Sequence, residues 1–214
     1  MTIDPKDVLA TIRQAYQYVE QYQQRVLDAF DTIDTELTRA GFGLWQWDSS
    51  SAFRTDHKRP FELGARHWLP LVDLEGTWSH GAKQETDKGA GTYVIVRHVA
   101  DTRVNPDGMI RSEVPGGDSV FYALVVRPSP EFTKDEFSKD WIRCVAEHFE
   151  LGSDLADLAS LSPRKPMDRP ATAHGRWSVH VFSLGDLASP GDFNTRFVEP
   201  LAAKAREFLW PTAP

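Results

Sequence analysis

The sequence predicts an α+β protein. It should hold a central mixed β-sheet of about four to six strands, with a long N-terminal helix and two helices from the C-terminal half packed on it. Three observations carry that expectation. Apolar residues recur at steps of three and four from Val8 to Leu37, the repeat of one helix face. Two later runs, Thr92–Ala100 and Ser119–Arg127, are dense in Val, Ile, Tyr and Phe, as strands are. Helix-like and strand-like segments then alternate to the C-terminus.

The first helix has a start and a stop written into it. Asp4 is a capping residue and Pro5 suits the first helical position, where a missing N–H costs nothing. Asp7 stands where a capping-box acid would. Val8, Ile12, Ala15, Val19, Tyr22, Val26, Phe30, Ile33 and Leu37 form the stripe, and Gly41 ends it. Such a helix is roughly 50 Å long. It therefore outruns a core of this size, and part of the segment 1–40 is expected to project. The stripe keeps heptad spacing from Val8 to Val26, which suits pairing with another helix. Val8, Ile12, Val19, Tyr22 and Val26 are the interface candidates. Burial on the protein's own sheet is the competing expectation.

Leu44–Trp47 reads as a short strand after the Gly41/Gly43 turn. Trp45 and Trp47, two apart, should share one face. Residues 49–91 show no clear period, with a mobile-looking loop at Gly81–Gly91. Thr92–Ala100 and Ser119–Arg127 should pair antiparallel across the Asn105-Pro106-Asp107-Gly108 turn signal. The second is apolar at nearly every position, as a central strand is. Phe132–Leu151 reads as a helix capped by Thr133. Pro163–His174 reads as a connector, Arg176–Leu184 as a strand, and Phe193–Trp210 as a final helix that Pro200 should kink or split near Glu199. One domain over 1–214 is expected.

Composition narrows the function classes. Hydrophobic residues make up 41% and charged residues 26% of the chain, so it is not a disordered tail. A single cysteine, Cys144, excludes a disulfide framework. The polar, acidic start lacks a signal-peptide pattern. The longest apolar runs are too short to span a bilayer as helices. A cytoplasmic location without a membrane partner is expected. The net charge of −7 opposes general nucleic-acid binding, which needs cations to neutralise phosphates.

Motifs that carry chemistry are scarce. The sequence has no Walker loop, nucleophile elbow, H-E-x-x-H or paired-cysteine zinc pattern. No cofactor is expected. His98, Asp101 and His180 lie on or beside strands and are the catalytic candidates. Cys144 and His148, one helical turn apart, are the metal-ligand candidates, although no metal is expected. Arg54, His57, Lys58, Arg59 and Arg66 form a local basic cluster interleaved with Phe53, Phe61 and Trp68. Such a cluster can bind phosphate, and aromatics within it can stack on bases.

The order helix, three strands, helix, strand resembles the core of the restriction-endonuclease-like superfamily. That family holds a metal between an Asp on its second core strand and an acid-x-Lys on the third. The matching third strand here, Phe121-Tyr122-Ala123-Leu124-Val125-Val126-Arg127, has neither acid nor lysine. Asp101 and Asp118 fall at strand ends. What the resemblance implies is a diverged hydrolase, or a degenerate nuclease fold that binds nucleic acid without cutting it. The favoured expectation is a non-enzymatic accessory protein. It would assemble with another protein, or with itself as a homo-oligomer, through the first helix and its aromatic surface.

Overall fold

The fold is taken from a computed structural model of the chain, which describes residues 5–49, 73–81, 91–100, 119–128, 167–172, 175–186 and 189–209. Six strands form one sheet: β1 (Gly43–Ser49), β2 (Asp73–His80), β3 (Thr92–Val99), β4 (Val120–Pro128), β5 (Met167–Thr172) and β6 (Gly175–Ser183). Their order across the sheet is β1-β2-β3-β4-β6-β5. The α+β class and the strand number match the sequence expectation. The sheet is not mixed, however, because every described pairing is antiparallel.

The long helix, α1 (Pro5–Arg39), has 35 residues. It ends as its glycine predicts. Gly41 takes φ +91°, the left-handed conformation that a side chain disfavours. The Gly41 N–H donates to Thr38 O at 3.0 Å and the Phe42 N–H to Leu37 O at 2.9 Å. These two bonds are a Schellman closure, and the Leu37 and Phe42 side chains beside it are both buried. From Gln23 onward α1 buries Val26, Leu27, Phe30, Ile33, Asp34 and Leu37. They pack on the sheet face formed by Leu74, Trp78, Val94, Val96, Phe121, Ala123, Val125 and Phe182. From Asp7 to Gln21, by contrast, every residue is exposed.

Trp78 locks α1 to the sheet. Its indole N–H donates to Asp34 Oδ1 at 2.7 Å in the buried interior. Its ring stacks on Phe30 at 6.4 Å between centroids and lies over Gly76, where a Cβ would come within 2.6 Å of it. Gly76 is thus a close-approach glycine in mid-strand.

The C-terminal helical run starts at Pro190. A single turn, α2 (Pro190–Phe193), passes into a π segment (Asn194–Val198) and then α3 (Glu199–Leu209). Pro200 explains the π segment. It offers no N–H to Arg196 O, and its ring crowds that carbonyl. The turn before it widens, and the Glu199 N–H reaches back five residues to Asn194 O. The helix changes type at Glu199, where the sequence predicted a kink or split, but runs on.

Arg127, at the end of β4, caps α3. One guanidinium nitrogen donates to Phe208 O and Leu209 O, both at 3.0 Å. Thr92 Oγ1 adds a bond to Phe208 O at 3.2 Å. A cation at this end also suits the helix dipole. Arg127→Ala should therefore cost about 1.5–3 kcal/mol, the range for hydrogen bonds to charged groups. Urea unfolding followed by circular dichroism checks this; a loss under half a kcal/mol would deny the cap its role.

The structure corrects or completes three sequence expectations. β2 places a strand in the stretch 49–91, where the sequence located none. Leu74, Gly76, Trp78 and His80 do alternate, but the glycine interrupts the apolar signal. β5 lies inside the expected connector 163–174. Its Pro170 removes a ladder donor, which only an edge position tolerates, and β5 is the edge strand. Third, the pairing of β1 slips between Leu44 and Gln46. This bulge leaves Leu44 opposite Trp78 and Trp47 opposite Gly76. Trp47 therefore shares Leu44's face. The predicted helix 132–151 lies outside the described residues.

Candidate functional site

Where α1 leaves the sheet, a cleft of about 710 Å³ opens between it and Leu184, Ser189 and Phe193. Phe121 is among its lining residues and Val26, Ala29, Leu184 and Phe193 supply further apolar walls. Tyr22, Arg25, Asp28, Thr32 and Ser189 also line it. An aromatic cluster sets the apolar side. Phe121, Phe182, Phe193 and Phe197 touch one another with centroids 5.0–6.1 Å apart. Ser189 is fixed by Asp192, whose carboxylate accepts from the Ser189 N–H at 2.8 Å and its hydroxyl at 2.9 Å.

Behind Tyr22 stands His98. The Tyr22 hydroxyl and His98 Nε2 share a hydrogen bond of 2.8 Å. The imidazole also packs on Phe121 at 5.0 Å between centroids. His98 is completely buried, and its Nδ1 has no hydrogen-bond partner. Burial away from water pushes its pKa down to about 3, because the charged form loses most from desolvation. An imidazole that stays neutral at pH 7 and holds a proton so weakly is poorly matched to general-base work.

His180 lies on the same face of the sheet, two residues out of register, with β4 between the two histidines. His98 pairs with Phe121, while His180 pairs with Ala123. Strand spacing and rise place their Cα atoms about 12 Å apart. His180 Nε2 and Ser178 Oγ are 3.3 Å apart, and both residues are buried. The two histidines among the catalytic candidates are therefore not gathered into one site. Among the described residues, no group of three His, Cys, Asp or Glu stands together to hold a metal. Asp101, the basic cluster Arg54, His57, Lys58, Arg59 and Arg66, and the pair Cys144 and His148 lie outside the described residues.

The interface candidates divide in two. Val8, Ile12 and Val19 are exposed, with Leu9, Tyr16 and Tyr18 beside them, at 39–64% of their full accessibility. Tyr22 and Val26 instead line the cleft. At seven-residue spacing, the row Val8, Ala15, Tyr22, Ala29 runs from the exposed stripe into the cleft wall. The heptad spacing carried this feature in the sequence. The cleft itself did not show there, because its other wall is about 160 residues further along.

A family model described as PM0109 matches residues 2–115, just over half of the 214-residue chain. The chain belongs to the PM0109 family. The matched span contains α1 and β1 to β3, hence the exposed stripe, Trp78 and the Tyr22–His98 pair. Phe121, Leu184, Ser189 and Phe193, which line the cleft, lie beyond the PM0109 match. No curated protein and no solved structure matches the chain. Among the described residues, no helix is long and apolar enough to cross a membrane.

Proposed function

We propose that this chain is a non-enzymatic assembly protein, and that it docks on a partner through the exposed half of α1. The observation that supports this is the stripe Val8, Leu9, Ile12, Tyr16 and Val19, which stands in water on a helix whose other half is a core element. A helical extension of fifteen or so residues is marginal in water on its own. Contiguous apolar surface of this kind marks interaction sites. An apolar helix face laid against a partner is a common recognition mode.

Two measurements test the reading. Removing residues 1–20 should leave the rest folded, with its unfolding midpoint in urea nearly unchanged, since residues 7–20 are all exposed. A cut after residue 40 would instead remove Val26, Leu27, Phe30, Ile33 and Leu37 from the core. The second measurement is amide hydrogen exchange. Residues 7–21 should exchange quickly in the dilute monomer and slowly when docked, whereas residues 26–37 stay protected throughout. If residues 7–21 are as protected as 26–37 in a strictly monomeric sample, the stripe is covered by its own chain and the docking reading fails.

A further inference from the structure

We infer that the partner is a second copy of this chain, lying antiparallel along α1 with Arg13 opposite the partner's Glu20. This rests on the docking reading above.

Charge placement argues for the second copy and its direction. Between Val8 and Tyr22, α1 carries only two charged residues, Arg13 and Glu20. Both are exposed. They stand one heptad apart, about 10 Å along the helix, on the same flank of the apolar stripe. In a parallel pair this flank meets the partner's opposite flank, which carries no charge between Val8 and Tyr22, so neither residue gains an ion pair. In an antiparallel pair the same flank brings Arg13 against the partner's Glu20, and the two-fold axis repeats the contact. Opposite charges flanking an apolar seam select helix orientation in this way.

The register that follows also gives the cleft an occupant. Setting Arg13 opposite the partner's Glu20 layers Ile12 near the partner's Tyr22 and Ala15 near the partner's Val19. It carries the partner's Val8 and Leu9 to the level of Arg25 and Val26, where the cleft opens. The row Val8, Ala15, Tyr22, Ala29 leads into that opening. The area is sufficient but small. The five exposed stripe side chains offer on the order of 500 Å² per copy, so a pair buries on the order of 1,000 Å², the lower edge of biological interfaces. A dimer that dissociates at micromolar concentration is the consequence.

The test is solution mass by light scattering after size exclusion, on the full chain from about 1 to 500 µM, a range chosen to bracket a micromolar dissociation constant. The variants are Ile12→Glu, Arg13→Glu, Glu20→Arg and the double reversal Arg13→Glu/Glu20→Arg. All three positions are exposed, and circular dichroism confirms folding of each variant. The wild type should move from monomer to dimer with concentration. Ile12→Glu should abolish the dimer, and each single reversal should weaken it by about tenfold. The double reversal should restore it, because Arg13 and Glu20 are too far apart within one helix to pair with each other. A double reversal weaker than either single one would overturn the antiparallel arrangement. A wild type that is monomeric throughout would overturn self-association while leaving docking on another protein intact. A monomer that sediments with phosphatidylcholine/phosphatidylglycerol vesicles, and loses this in Ile12→Glu, would assign the stripe to a lipid surface instead. A dimer indifferent to Ile12→Glu would overturn both this inference and the docking reading.

Discussion

Trp78→Ala is expected to cost about 3–5 kcal/mol, the range for truncating a large buried aromatic. Trp78 is fully buried. Its loss would leave a void between β2 and α1, under Phe30 and over Gly76. It would also take from Asp34 a donor inside the core, and a buried carboxylate that loses a hydrogen bond adds its own penalty. Single domains are stable by only about 5–15 kcal/mol, so this one change removes a large share. Two milder variants separate the contributions. Trp78→Phe keeps an aromatic ring on Phe30 but drops the N–H, and should cost about 1–3 kcal/mol. Gly76→Ala puts a methyl group within 2.6 Å of the indole. Its strand is held on both sides by β1 and β3, so the ring must move, at about 1–3 kcal/mol. Urea midpoints by far-ultraviolet circular dichroism give all three values. A Trp78→Ala chain within 1 kcal/mol of the wild type would mean that α1 is held elsewhere.

The parts of this fold that were legible in the sequence are those set by local chemistry. α1 shows in its periodicity and in Gly41, whose positive φ a side chain would disfavour. β3 and β4 show in their runs of Val, Ile, Tyr and Phe, since strand segments buried on both faces have no polar side to alternate with. Pro200 marks its place in the C-terminal helix because the missing N–H is a property of the residue itself. The features that escaped depend on distant partners. β2 is a strand because Trp78 folds over Gly76 and meets Asp34, 44 residues earlier. β5 contains a proline that only its edge position permits. The bulge at Trp45 depends on how β1 registers against β2. The candidate site divides in the same way. Val8, Ile12 and Val19 were readable as an apolar stripe, but which half of that stripe is buried depends on where the sheet ends. Tyr22 and His98, 76 residues apart, gave no local sign of meeting.

That meeting makes the protein's stability depend on acid. In the unfolded chain His98 should titrate near the ordinary value of 6.5; in the folded chain burial holds it at about 3. It touches uncharged neighbours, Tyr22 and the Phe121 ring, and the shift comes from solvation lost on burial. Between pH 6.5 and pH 3 the unfolded chain takes up a proton that the folded chain refuses. His98 therefore carries no penalty above pH 6.5, and the fold loses stability as pH falls below it, approaching about 1.4 kcal/mol per pH unit. From pH 7.5 to pH 5.0 the wild type should lose about 2 kcal/mol more than His98→Gln, which cannot take up the proton. The difference between the two proteins isolates His98 from every other titrating group. Equal losses would deny the shift. A second readout needs no variant: the His98 ring resonances should stay fixed from pH 8 to pH 5. The consequence reaches the proposed interface. Tyr22 ties α1 to β3 at the point where the helix leaves the sheet, and it also lines the cleft. Protonation of His98 would make both ring nitrogens donors, although Nδ1 has no hydrogen-bond partner, and would loosen that joint first. Acid should then free the exposed half of α1, and with it the docking surface, before the Trp78 lock between α1 and β2 gives way.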